Sequence, residues 1–131
     1  MKGIINKITF ILTELNFSYR ILKSSTDTVI LFNNNIDSEN IIFGISIDTD
    51  SVDMGTLCLM GGNIGLGCTH RLLDNSNLKA IISQNINQIK DSIEKSDQVN
   101  YLDNRMKLKQ KFLNVNAIIE NFAQKNNYTL S

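Results

Sequence analysis

Apolar residues are spaced along this chain in two distinct periods, and the period changes where the elements change. Ile4, Ile8, Ile11, Leu12 and Leu15 recur three or four residues apart, with Lys7 and Glu14 off that stripe. The spacing predicts an amphipathic helix from Lys2 to about Asn16. From Phe17 the period drops to two: Phe17, Tyr19 and Ile21 alternate with Ser18 and Arg20, as in a half-buried strand.

Ser24-Ser-Thr-Asp27 is a turn cluster, and Thr28 to Phe32 is β-branched and apolar enough for a second strand. The run Asn33-Asn-Asn35 marks a break, because Asn tolerates the left-handed backbone that turns need. Ile41, Phe43, Ile45 and Ile47 then alternate with Ile42, Gly44, Ser46 and Asp48, the clearest strand in the sequence. A polar connection from Asp48 to Asp53 leads to a fourth strand over Gly55–Met60. Short connections favour an antiparallel meander over parallel crossovers.

Gly61-Gly-Asn-Ile-Gly-Leu-Gly67 reads as irregular. Asp74-Asn-Ser-Asn77 offers N-cap side chains before a helix with Leu78, Ile81, Ile82, Ile89 and Ile93 on one face. A last helix carries Leu108, Phe112, Val115, Ile119 and Phe122, entered from Asp97 or Asn100, and the tail from Asn126 to Ser131 is expected to fray. The fold class predicted from this order is α+β: a two-layer sandwich with an N-terminal helix, an antiparallel sheet of about four strands, and two C-terminal helices. One domain, residues 1–131, accounts for the whole length.

Composition narrows the chemistry. There are 18 Asn and 19 Ile but no Pro, so Gly, Asn, Asp and Ser must make the turns. Thirteen basic and thirteen acidic residues cancel, which disfavours a nucleic-acid-coating or polybasic membrane protein. No stretch reaches the ~20 apolar residues a membrane span needs, and the start lacks a cleavage signal. Two cysteines make no disulfide framework. The expected compartment is the cytoplasm.

Candidate sites are few. Cys68 and His70, two residues apart, suggest a thiolate and its base, the basis of an alternative reading as a small enzyme. Catalytic pairs of this kind usually come from distant segments, and no third group orients the pair. The glycine spacing is G-x-x-G-x-G, the reverse of the dinucleotide fingerprint, and no Lys-Ser/Thr follows. An EF-hand register from Asp48 would put Val52 and Leu59 where carboxylates are required. No cofactor and no metal are therefore expected. Arg105, Lys107, Lys109 and Lys111 fan around the last helix instead of lining a stripe, so nucleic-acid binding is disfavoured as well.

Charge segregation is the stronger signal. Between Lys23 and Arg71 there is no Lys or Arg, while Asp27, Asp37, Glu39, Asp48, Asp50 and Asp53 all fall in that gap. A one-signed patch steers encounter with a partner of opposite sign. In size and element order alone the chain is similar to two groups of small bacterial proteins. These are immunity proteins, which neutralise toxins by binding them, and type III secretion chaperones. The latter are typically strongly acidic, unlike this neutral chain. Neither resemblance carries a residue across. The function expected is a non-enzymatic inhibitor or immunity protein masking the basic surface of a protein partner, such as a nuclease toxin, through Asp37, Glu39, Asp48, Asp50 and Asp53. A chaperone-like or homodimeric adaptor, using spare apolar helix surface, is the other alternative.

Overall fold

A computed structural model of the protein describes residues 2–34, 41–60, 63–72, 77–95 and 115–131. Its elements in chain order are α1 (Lys2–Glu14), β1 (Ser18–Lys23), β2 (Thr28–Asn33), β3 (Phe43–Ile47), β4 (Val52–Met60), β5 (Asn63–Arg71), α2 (Leu78–Lys95), α3 (Val115–Lys125) and β6 (Thr129–Leu130). The first four strands fall where the sequence pattern put them, within a few residues. The basic cluster Arg105–Lys111, and the start of the last expected helix, lie outside the described residues.

All six strands form one antiparallel sheet in the order β5-β4-β3-β2-β1-β6. Among the described residues the sheet has six strands where about four were expected. The glycine-rich segment read as irregular supplies β5, whose Met60–Asn63 to Asp53–Arg71 pairing runs the length of β4. The tail expected to fray supplies β6: Leu130 pairs Leu22, Thr129 pairs Lys23, and the Ser131 amide donates to the Ile21 carbonyl at 3.0 Å.

The two-layer expectation is also corrected. Ile8, Ile11 and Leu12 of α1 and Leu78, Ile82, Ile86 and Ile89 of α2 pack on one face, against Ile30, Phe32, Phe43, Ile45 and Met54. Ile118, Ile119, Phe122 and Ala123 of α3 cover the other face, against Leu22, Val29, Leu31 and Leu57. Helices thus lie on both sides of the sheet. The reason is visible in β2, where successive side chains alternate between faces and every residue from Thr28 to Asn33 is buried.

Asparagine ends two of the helices. Asn16 sits at φ 64° and closes α1: its amide donates to Thr13 O at 3.1 Å and that of Phe17 to Leu12 O at 2.9 Å. Asn127, at φ 61°, follows α3, and the Tyr128 amide reaches back to Ala123 O at 2.9 Å. Both are left-handed C-terminal caps made without glycine. No described helix is long and apolar enough to cross a membrane.

Candidate functional site

The β3–β4 hairpin carries the central part of the expected acidic surface. Its turn is closed by the Asp48 amide donating to Ser51 O at 3.0 Å. The Asp48 carboxylate then works inside its own turn. Its Oδ1 accepts from the Asp50 amide at 2.8 Å, the Ser51 amide at 2.7 Å and the Ser51 hydroxyl at 3.2 Å. Those backbone donors, that of Asp50 first and Ser51 next, hold the Asp48 carboxyl below its ordinary range. Asp50 is exposed at the turn.

Asp53 differs. Strand pairing puts it directly across from Arg71, and Nε of Arg71 lies 3.7 Å from Oδ1 of Asp53. A cation that ends the acidic stretch in sequence therefore sits beside it in space. Asp27 is occupied too, accepting from the hydroxyls of Ser24 and Tyr128. Asp37 and Glu39 lie outside the described residues. The structure thus brings Asp48, Asp50 and Asp53 to one end of one hairpin, with Asp50 the most available of the three.

Cys68 and His70 sit on β5 where the pairing passes from Gly55–Cys68 to Met54–His70. Two residues of β5 advance against one of β4, so a bulge falls between them. Directly opposed residues share a face, and Met54 and Gly55, being adjacent, do not. Cys68 therefore lies on the α3 face with Gly55, and His70 on the α1/α2 face with Met54. The bulge separates the pair that the sequence suggested as nucleophile and base. Burial first, and the nearby Asp53 second, push the Cys68 thiol up, opposite to what an activated thiolate needs. Among the described residues no three of His, Cys, Asp and Glu converge to hold a metal ion.

A second feature was not legible as a site in the sequence. On the α3 face, β1 and β2 present Ser18, Arg20, Leu31 and Asn33 to Val115, Asn116 and Ile119, and these residues line a cavity of about 320 Å³. Arg20 reads in sequence as the polar half of an alternating strand, and Asn33 as the start of a turn. Only the pairing of Ser18 with Asn33 and Arg20 with Leu31 puts them side by side.

No known family model matches the chain, no curated protein matches it in sequence, and no solved structure matches its fold.

Proposed function

We propose that this chain is a non-enzymatic, cytoplasmic protein-binding module that masks a basic surface of a partner, in the manner of an inhibitor or immunity protein acting on a toxin. The support is the β3–β4 turn. Three hydrogen bonds to Asp48 fix its backbone, and the exposed Asp50 carboxylate has no partner among the described residues. A fixed turn presents negative charge with little entropy left to lose on binding. Charges of this sort raise the association rate and set its salt dependence more than they deepen affinity.

The test is recovery of partners by the tagged full-length chain at low salt from its native host, followed by association kinetics on whatever is stoichiometric. One basic protein released by salt, whose association slows in Asp50→Lys, supports the proposal. A partner that associates at the same rate in Asp50→Lys, whatever the salt, overturns it, and so does recovery of no protein at all.

Phe10 favours a second reading. It stands on α1 away from the core with 66% of its surface exposed, and such a side chain suits a homodimeric or chaperone-like adaptor. Light scattering at micromolar concentration separates the two, since a strict monomer removes the adaptor.

A further inference from the structure

We propose that the cavity between α3 and the β1–β2 hairpin is a binding site for a small organic monocarboxylate with an apolar body. Four observations converge there, and none involves the acidic turn.

Asn33 is 5% exposed, and its Nδ2 is buried with no hydrogen-bond partner. Buried amide hydrogens nearly always find an acceptor, because leaving water without one costs stability. The same asparagine lines the cavity with Nδ2 just behind the wall, so a turn of the side-chain amide would bring the donor to an acceptor supplied from outside the chain. Arg20 lines the same space, half-buried, and its guanidinium makes no ion pair or hydrogen bond among the described residues. Cross-strand pairing sets Arg20 beside Leu31 and Ser18 beside Asn33, so the two donors project from one face, two residues apart on neighbouring strands. Leu31, Val115 and Ile119 supply the apolar part of the wall.

Unmet donors, one fixed positive charge and an aliphatic wall define the complement. A guanidinium accepts a carboxylate through two parallel hydrogen bonds, and the adjacent amide can donate to the same group. One cation matches one negative charge better than the two of a phosphate monoester. At about 320 Å³ the space is at the lower end of small-molecule pockets, which admits a benzoate or a short branched fatty acid but not a nucleotide. The unsatisfied amide is then a stability cost retained for binding.

The experiment is amide NMR titration of the full-length chain with sodium benzoate and 3-methylbutanoate, with benzamide and inorganic phosphate as controls. Saturable shifts at Ser18–Arg20, Leu31–Asn33 and Val115–Ile119, produced by both acids and not by the controls, are expected. Arg20→Met should weaken benzoate by about tenfold or more. Asn33→Leu should abolish binding and raise the urea midpoint, a combination that simple damage to the fold does not produce. Should Asn33→Leu fail to fold, Arg20→Met alone decides. Equal binding of benzamide or phosphate, shifts elsewhere on the molecule, unchanged affinity in Arg20→Met, or no saturable binding at millimolar acid overturns the proposal.

Discussion

The hydroxyl of Tyr128 donates a 2.7 Å hydrogen bond to Oδ2 of Asp27, joining the C-terminal tail to the β1–β2 turn across 101 positions of sequence. Asp27 is itself held by the Ser24 hydroxyl, which donates to its other oxygen. The Tyr128 ring stacks on Phe122 with centroids 5.6 Å apart, so one side chain ties α3, β6 and the first hairpin together. Burial first, then the hydrogen bond to Asp27 and its negative charge, push the Tyr128 phenol well above its ordinary 10.0. The fold therefore holds the phenol protonated more tightly than the unfolded chain does. Its stabilising contribution is complete below pH 10 and is lost as pH rises beyond it. Tyr128→Phe should lower stability by about 1 kcal/mol at pH 8, and that gap should close in more alkaline solution. Urea unfolding of both proteins at pH 8 and pH 11 measures it, and a gap that stays constant refutes the assignment.

At the same end of the strands, in the next hairpin, the Asp48 carboxylate organises its own turn. Because the fold depresses this acid below 3.8, its contribution is present above that pH and is lost as pH falls below it. Asp48→Ala should lower the melting temperature at pH 6, and the difference from the wild type should shrink at pH 3. Asp48→Asn keeps an acceptor oxygen and should lose less. Thermal unfolding by circular dichroism at the two pH values decides, and an equal loss at both means that the charge is irrelevant to the turn.

What the residues disclosed unaided depended on how far each contact reached. β3 was legible because Ile41, Phe43, Ile45 and Ile47 alternate without interruption. β5 was overlooked because Gly65 and Gly67 looked like loop formers, yet Ile64 and Leu66 alternate with them and both pack in the core under α3. The period-2 signal was present, with glycine standing where the other face's side chains would be. β6 has two residues, too few to show any period, and exists because β1 offers it an edge. The apolar run of β2 could have disclosed the three layers, since a strand buried on both faces needs cover on both. The candidate site was less legible still. Asp48, Asp50 and Asp53 are neighbours in sequence and stay neighbours in space, whereas the Arg71 beside Asp53, and the Arg20–Asn33 pair at the cavity, follow from strand register alone.

Cys68 should behave as an unreactive thiol. Burial and the Asp53 carboxylate both disfavour its thiolate, and burial raises Cys58 as well. Iodoacetamide at pH 7 should alkylate both more slowly than a free model thiol, with Asp53→Asn modestly accelerating Cys68 alone. Peptide mapping by mass spectrometry over a time course resolves the two sites. Alkylation of Cys68 faster than the model thiol would revive an enzymatic reading despite the bulge that parts it from His70.

Two glycines of the β4–β5 pair should respond in opposite ways to the same added methyl group. A Cβ on Gly55 would overlap the Gly67 carbonyl oxygen and come within 2.7 Å of Cys68 Cα. Those are backbone atoms beside the bulge, so no side-chain rotation relieves the clash, and the strands would have to separate where Cys68 and His70 take opposite faces. A Cβ on Gly67 would meet only Cys58 Sγ at 3.5 Å and Thr56 O at 3.8 Å, ordinary contact distances. Gly55→Ala should therefore cost more than about 3 kcal/mol. Gly67→Ala should lie within about 1 kcal/mol of the wild type, because a less flexible unfolded chain offsets small losses. Urea midpoints of the two variants test the register directly. If β4 and β5 paired one residue out of step, the crowded glycine would no longer be Gly55, and the two substitutions would lose their contrast.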